Sequence, residues 1–413
     1  MSPTSHLALL NLLIGDIQGG LGPFLGTWLA ETAQWSPTRI GLVTSLSGIG
    51  VLLLSGPFGA LVDRLGRPRL LIAISCAAIL AGTLLLLPAR GFWLVLAAQS
   101  LAAAGGTLLL LAVTSLTLGM VGKQAFPRQQ GRNQAFNHIG ILAAAGLIAL
   151  GTPYWGAAVS LWVLGAMAAA AIVATVTMPR HSWECRRSFG WEDHEGDDAP
   201  HRSATRQVLR NGRLLVLAVA LALFQLGNGG MLSLLGQKLV AVSSSGTGWT
   251  ATYVMVAQLT MVPVAYFAGS LADRRGRRWL LVVACLALPL RAALCAFIDD
   301  AHWLIAAEIL DGIASGIIGV AVPVVVADLT WKSGRTQTAL GTVNAIQGAG
   351  GAVSAWYGGL AQAWLGWPGA FLALGVAGVA ATVMVFWLHA TAEENPRRKR
   401  RTRVSATVEP QQA

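Results

Sequence analysis

The chain of 413 residues has a mean hydropathy of +0.61, and only 11% of its residues are charged. A soluble protein carries about 25% charged residues, because water must solvate its surface. The composition therefore excludes an ordinary soluble domain and predicts a polytopic membrane protein whose apolar exterior faces lipid. The formal charge of +11 does not indicate a nucleic-acid partner, because the basic residues lie in short gaps between apolar runs and in a tail.

Twelve apolar runs are each long enough to cross a bilayer core of about 30 Å. Alternation of polar and apolar residues is absent, which favours helices over strands. We therefore expect an all-α membrane protein with twelve transmembrane helices. The predicted spans fall near 7–30, 39–62, 70–88, 92–118, 134–152, 155–178, 213–238, 249–272, 279–298, 301–328, 336–363 and 366–389.

Lysine and arginine are concentrated on one side of this predicted topology. Of the 29 basic residues, 25 fall in the tail or in loops on the same side as the N-terminus, and 3 fall on the other side. The positive-inside rule then places both termini in the cytoplasm. Because the composition is rich in Ala, Gly, Leu and Arg, we expect a multi-pass protein of a bacterial inner membrane.

The longest polar stretch, with WEDHEGDDAPHR at its centre, separates the sixth predicted span from the seventh. It predicts an N-terminal six-helix bundle at 1–178 and a cytoplasmic linker loop at 179–212. A C-terminal six-helix bundle follows at 213–389. The last segment, 390–413, is a basic tail that we expect to be disordered near anionic lipid.

The two predicted bundles contain an internal repeat. GALVDRLGRPR at 59–69 recurs as GSLADRRGRRW at 269–279, an offset of 210 residues. Beyond the fourth span, GRNQ at 131 matches GRTQ at 334 with an offset of 203, which predicts a longer loop in the first half. Two six-helix halves repeated in order are typical of transporters built from parallel repeats.

The first copy, after the second span, resembles the signature motif of the major facilitator superfamily: Gly, three residues, Asp, a basic residue, any residue, Gly and a basic residue. The second copy, after the eighth span, resembles the same motif. The resemblance implies two halves related by a pseudo-two-fold axis and secondary transport by alternating access. It also implies a cytoplasmic gate, formed by Gly59, Asp63, Arg64, Gly66, Arg67, Gly269, Asp273, Arg274, Gly276 and Arg277.

Charged side chains inside the predicted spans are few, and each costs about 2.5–3.5 kcal/mol at a helix centre. They are Asp16, Arg291, Glu308 and Asp311. The resemblance places the first, fourth, seventh and tenth spans around a central cavity, so Asp16 can face water near the membrane midplane. It is a candidate for proton coupling, because burial favours the protonated form of a carboxyl group. The alternative is a structural hydrogen bond to a neighbouring helix.

Glu308 and Asp311 are further candidates for proton coupling. They lie three residues apart, so they share one face of the tenth span. The alternative is that Arg291, from the ninth span, neutralises one of them. Arg291 could instead extend to the outer membrane surface.

Neutral polar residues in the spans are candidates to line the substrate cavity. Gln18 and Asn228 correspond in the repeat and can act as opposed hydrogen-bonding groups. Asn137 and His138 open the fifth predicted span, where the alternative for His138 is an interfacial histidine near the cytoplasm. The remaining candidates are Gln99, Gln225, Asn344 and Gln347.

Motifs of catalysis are missing from the sequence. It contains no Walker loop, no G-x-S-x-G and no H-E-x-x-H, so we expect neither an enzyme nor ATP as the energy source. The sequence predicts a monomeric transporter, without cofactor or metal, that couples efflux of a small organic solute to protons. The alternative is an importer of a small metabolite or a siderophore-like metal chelate.

Overall fold

The computed structural model describes residues 3–15, 28–29, 35, 37–88, 91–178, 211–242, 246–331 and 333–388. Most of the predicted linker and all of the predicted tail lie outside these residues. Within them the regular structure is helical, and no strand occurs. The α-helices are Pro3–Ile14, Pro37–Leu65, Pro68–Leu86, Phe92–Trp155, Val159–Thr177, Gly212–Asn228, Met231–Val242, Gly246–Arg275, Arg277–Phe297, Ala301–Ala306, Glu308–Leu329 and Thr336–Trp387, and Gly156–Ala158 is a 3₁₀ turn.

Eight helices in the described part of the chain are long and apolar enough to cross a membrane. Two of them, with 64 and 52 residues, are too long for a single crossing. Each bends at a glycine with positive φ, Gly122 at 66° and Gly366 at 67°, and therefore contains two spans. The shorter apolar helices Pro3–Ile14 and Gly212–Asn228 belong to the first and seventh spans. The predicted all-α architecture with twelve spans is confirmed.

The two halves repeat with equivalent close approaches between backbones. A Cβ atom on Gly59, in the second span, would lie 2.1 Å from the carbonyl oxygen of Gln337 in the eleventh. A Cβ atom on Gly269, in the eighth span, would lie 2.3 Å from the carbonyl oxygen of Pro127 in the fifth. Both pairs obey the offset of 210, so the structure contains two equivalent seams between the halves. We call them the second–eleventh seam and the fifth–eighth seam.

The offset of 210 continues through the fifth span, and the predicted change to 203 is wrong. A Cβ atom on Gly131 would lie 2.6 Å from the carbonyl oxygen of Ala265. The equivalent approach is between Gly341 and the carbonyl oxygen of Ser55, at 2.2 Å. Gly131 is therefore equivalent to Gly341. The glycine of GRTQ, Gly334, instead lies in a loop with φ of 67°.

The fifth span begins well before the predicted residue 134, because its polar residues are satisfied inside the bundle. The amide of Gln129 donates to Asn133 at 2.8 Å, and Asn133 donates to Thr117 of the fourth span at 2.9 Å. These buried bonds let a polar stretch remain helical. As a result, Asn137 and His138 lie within the fifth span and do not open it.

The seventh span is interrupted at Gly229 and Gly230, where the eleventh span supplies a polar contact. Ser354 Oγ donates to the carbonyl oxygen of Leu226 and accepts from the amide of Gly230, both at 2.5 Å. These bonds satisfy backbone groups that the break exposes, as an apolar surrounding requires. The break places Asn228 at the end of one helix, beside the ninth and tenth spans.

Candidate functional site

A buried cluster of charges joins the seventh, ninth and tenth spans. The guanidinium of Arg291 donates from Nε and Nη2 to the carboxylate of Glu308, in three bonds of 2.7–3.0 Å. Its Nη1 atom donates to Asp311 Oδ1 at 3.1 Å and to Asn228 Oδ1 at 2.9 Å. A guanidinium has five N–H groups, and the five bonds use all its nitrogen atoms. All three nitrogen atoms of Arg291 therefore already have acceptors within the cluster.

The charges in this cluster do not balance when both carboxyl groups are ionised. Two carboxylates then face one guanidinium, and a buried uncompensated charge is costly. The side chains of Glu308 and Arg291 are 0% and 1% exposed, whereas that of Asp311 is 10% exposed. Asp311 is therefore the most accessible member of the cluster. Of the two alternatives for Arg291, the structure shows ion pairing and not extension to the membrane surface.

The tenth span positions both acids. Glu308 is the first residue of the helix Glu308–Leu329, which begins after a turn at Ala307, and Asp311 lies one turn later on the same face. The hydroxyl of Ser315 donates to Asp311 Oδ1 at 3.5 Å. The backbone of this turn also packs tightly, since a Cβ atom on Gly312 would lie 2.5 Å from the side chain of Thr260 in the eighth span.

The other predicted cavity residues do not form one cluster with this site. Asp16 and Gln18 lie outside the described residues. Asn344 and Gln347 are half-buried, and neither makes a hydrogen bond to the part of the chain that the structure describes. The rest lie at different places in the bundle: Gln99 and Asn137 are buried, and Gln225 is half-buried against Gly351.

His138 makes a hydrogen bond between the two halves. Its Nδ1 atom lies 2.9 Å from Oε1 of Gln258 in the eighth span. Sequence reasoning missed Gln258, because a single amide in an apolar run is a weak indication of function. The repeat also gave no help, since the residues equivalent to His138 and Gln258 are Gly348 and Gly48.

Asp63 closes the second–eleventh seam at the end of the second span. Its carboxylate accepts from the amides of Gln337 and Thr338 at 3.2 and 2.7 Å, and from the Thr338 hydroxyl at 2.6 Å. These amides belong to the first turn of the helix Thr336–Trp387, where a negative charge is favourable. Asp63 is only 2% exposed. Gly59 permits the close backbone approach, and Gly66 makes the following turn with φ of 56°.

The second copy of the motif makes a weaker contact across the fifth–eighth seam. Asp273 Oδ2 lies 3.4 Å from Arg128 Nε, and the two side chains are 27% and 67% exposed. Exposed pairs of this kind contribute about 0–1 kcal/mol. Arg277 forms an ion pair with Asp328 of the tenth span. Gly276 has φ of 88°, and Arg64, Arg67 and Arg274 are exposed.

These contacts seal one side of the molecule, which we call the motif side because Asp63 and Asp273 lie there. An apolar cluster adds to the closure where the fourth and fifth spans meet the tenth. It consists of Leu118, Phe126, Val324 and Ala327. The two halves are therefore closed against each other on the motif side.

Lys238 is a further buried cation, and it is one of the three basic residues that the sequence places on the side opposite to the N-terminus. It lies in the helix Met231–Val242 and is 2% exposed. Its Nζ atom donates to the carbonyl oxygens of Cys295 and Ile298 at 2.8 and 2.7 Å, and pairs with Asp299 at 2.9 Å. Lys238 therefore caps the C-terminus of the ninth span, where a positive charge is favourable.

Two six-helix halves, two glycine seams and repeated acidic motifs define a membrane transporter. The family model described as Major Facilitator Superfamily matches residues 7–288 and 217–410. The chain belongs to this superfamily and is a multi-pass membrane transporter, not an enzyme.

Relatives agree with this assignment. The chain is 33% identical over 370 residues to an uncharacterised MFS-type transporter of Mycobacterium tuberculosis. The matched residues make up 89% of this chain and 88% of that protein. It is 29% identical over 131 residues to a multi-drug resistance efflux pump homologue of Lactococcus lactis, 32% of each chain.

Solved structures share the fold at low sequence identity. The transporter FucP in its outward conformation is 16% identical with a TM-score of 0.75, over 95% of this chain and 99% of that one. The proton:xylose symporter XylE is 13% identical with a TM-score of 0.72, over 94% and 95% of the two chains.

Proposed function

We propose that this protein exports a small organic solute across a bacterial inner membrane by alternating access and couples the export to protons. The buried cluster of Arg291, Glu308 and Asp311 carries the proposal. It holds one more negative than positive charge when ionised, and such a site in a membrane helix is stabilised by taking up a proton.

In the proposed mechanism Asp311 takes up and releases the proton. Glu308 makes three bonds of 2.7–3.0 Å to Arg291, so the proposal assigns the proton to the more exposed Asp311. Protonation of Asp311 removes its ion pair with Arg291 and leaves the Arg291–Glu308 pair in place. Asp16 is a second candidate for the coupling proton, on the first span.

Substrate binds, in this proposal, in the cavity between the halves. The cavity offers hydrogen bonds from Asn228 and Gln225 on the seventh span. The further candidates are Gln18, Gln99, Asn137, His138, Asn344 and Gln347. Each nitrogen atom of Arg291 already donates within the cluster, which disfavours an anionic group as a further partner. We therefore propose a neutral or cationic substrate.

The motif side acts as the cytoplasmic gate in the proposed cycle, with both termini in the cytoplasm. Asp63 and Asp273 hold the gate closed, and opening it breaks the bonds that cross both seams. The two bundles, 1–178 and 213–389, then move against each other within one monomer.

Export is supported by the local similarity to the efflux pump homologue of Lactococcus lactis. Import of a small metabolite or a metal chelate is the second candidate, because the proton:xylose symporter has the same fold. The two candidates differ in the direction in which protons move relative to the solute: opposite to it in export, and together with it in import.

The proposed coupling can be tested with purified protein in liposomes that contain a pH-sensitive dye. Ethidium serves as the export probe, and a ferric hydroxamate serves as the import probe. We expect ethidium flux to move protons in the opposite direction, and Asp311→Asn to abolish this proton movement while ethidium exchange at equilibrium continues. Asp16→Asn is measured in parallel. Unchanged proton coupling in Asp311→Asn would contradict the proposal, and co-directional flux of the hydroxamate and protons would favour import.

A further inference from the structure

We infer that Gln134 of the fifth span is a positioning residue that links the Asp311 site to the closure of the motif side. The link runs along one face of the tenth span, from Asp311 to the carbonyl oxygen of Gly319, which accepts a hydrogen bond from Gln134. This inference rests on the proposed proton site at Asp311.

The tenth span carries a row of groups that starts at the charged cluster. Asp311, Ser315 and Gly319 are spaced four residues apart, so they lie above one another on one helix face. Ser315 Oγ donates to Asp311 Oδ1 at 3.5 Å. One helical turn further, the carbonyl oxygen of Gly319 accepts from Gln134 Nε2 at 3.2 Å and from Gln130 Nε2 at 3.5 Å. The row therefore connects the C-terminal half to the N-terminal half.

The fifth span presents a matching set of polar side chains. Gln130, Gln134 and His138 are also four residues apart and share one face over about 12 Å. All three make hydrogen bonds to the other half, His138 to Gln258 at 2.9 Å. We call these three residues the polar row of the fifth span.

The equivalent seam has no such row. The offset of 210 makes Leu340, Asn344 and Gly348 of the eleventh span equivalent to the polar row. Leucine and glycine side chains cannot donate, and Asn344 makes no hydrogen bond to the described residues. The residue equivalent to Gly319 is the buried Leu109. Among the described residues, therefore, such a row of hydrogen bonds leads to the proposed proton site at Asp311 only from the fifth span, and not from its equivalent, the eleventh.

Gln134 is suited to follow a movement of the tenth span. A Cβ atom on Gly319 would lie 3.5 Å from Gln134 Cδ, which is van der Waals contact. The side chain therefore rests on the backbone of the helix that carries Asp311. When Asp311 gains a proton and loses its ion pair with Arg291, a displacement of the tenth span changes the Gln134–Gly319 bond directly.

The groups around Asp311 define what else can titrate there. Arg291 faces it from the ninth span, and Glu308 faces it from the same helix. The seventh span contributes Asn228 and the eighth contributes Thr260 beside Gly312, and neither side chain titrates. His138 is a further ionisable side chain along the route, in contact with Gln258, so the test needs an Asp311 variant as well as a Gln134 variant.

Spin labels can report the movement without a substrate. Tyr154 and Trp364 are equivalent in the repeat, belong to opposite halves and are 80% and 75% exposed. The labels are attached at Tyr154→Cys and Trp364→Cys. Cys185 is replaced by serine, whereas Cys76, Cys285 and Cys295 are kept because they are buried. The distance distribution is measured in liposomes between pH 5 and pH 9.

In the wild-type background we expect the populations within the label–label distance distribution to change with pH. In Asp311→Asn we expect the same distribution at every pH. Gln134→Leu should reduce the pH-dependent change in population at least threefold. The matched control Gln362→Leu, the same substitution at a half-buried residue of the eleventh span, should retain it. Gln134→Met, which keeps the length of the side chain and removes the donor, should behave like Gln134→Leu and replaces it if the leucine variant does not fold.

The outcomes separate the two proposals. If Asp311→Asn is insensitive to pH while both Gln134 variants respond like the wild-type background, the link through Gln134 is overturned and the proton site stands. If the wild-type background does not respond, or Asp311→Asn responds equally, the proton site and the link are both overturned.

Discussion

Replacing Asp63 by asparagine removes one negative charge from the second–eleventh seam and leaves the shape of the side chain almost unchanged. In the structure this carboxylate accepts two backbone amides and one hydroxyl from residues Gln337 and Thr338. All three bonds cross between the halves, so they stabilise only the state that is closed on the motif side. We therefore expect Asp63→Asn to shift the protein away from this closed state.

The magnitude follows from the bonds that are lost. Hydrogen bonds to a charged group contribute about 1.5–3 kcal/mol and neutral ones about 0.5–1.5 kcal/mol. Asparagine has one acceptor oxygen, so at least one donor at the start of the eleventh span loses its partner. We expect a loss of about 2 kcal/mol, which is about 30-fold in the equilibrium between the two states. Asp273→Asn, in an exposed pair with Arg128, should shift it by less than about fivefold.

The closed state can be measured by alkylation of a cysteine placed in the seam. Ser55 is 3% exposed and lies against Gly341, so Ser55→Cys in a Cys185→Ser background should react slowly with N-ethylmaleimide. Asp63→Asn should raise the alkylation rate about 30-fold at low reagent concentration. Equal rates in the Asp63 and Asp273 variants would refute the reasoning, because burial and the helix N-terminus would then add nothing.

Two further predictions follow from the packing of the helices. Arg291→Leu leaves two carboxyl groups buried without a cation and should destabilise the protein by about 3–5 kcal/mol, seen as a lower unfolding midpoint in detergent. The double variant Arg291→Leu with Glu308→Leu should recover most of this loss, and a midpoint equal to that of the single variant would contradict the ion-pair account. Gly59→Ala should prevent closure of the second–eleventh seam, because its Cβ would lie 2.1 Å from a backbone oxygen. Gly48→Ala is the matched control, with nothing within 4 Å of its Cβ, and equal alkylation of Ser55→Cys in both variants would count against the close approach.

Much of the fold could be predicted from the sequence, because the bilayer restricts the possible structures. A span must be helical and about 20 residues long, so hydropathy alone predicts twelve spans and an all-α protein. The repeated motif, with Asp63 and Asp273 at equivalent positions, indicated the superfamily, and the family match confirmed it. Errors were confined to places where polar residues lie inside the bundle. Gln129 and Asn133 suggested a loop, but hydrogen bonds within the bundle keep them helical.

The sequence by itself determined that Arg291, Glu308 and Asp311 lie within apolar runs, where a charged side chain needs a partner or water. Only the tertiary structure decided how they pair, because Arg291 and Glu308 are 17 residues apart on different helices. Their contact depends on how the ninth and tenth spans rotate and pack. The same holds for Gln134 and Gly319, which are 185 residues apart and belong to opposite halves. Hydropathy records burial along one helix, whereas these partners are set by the packing between helices.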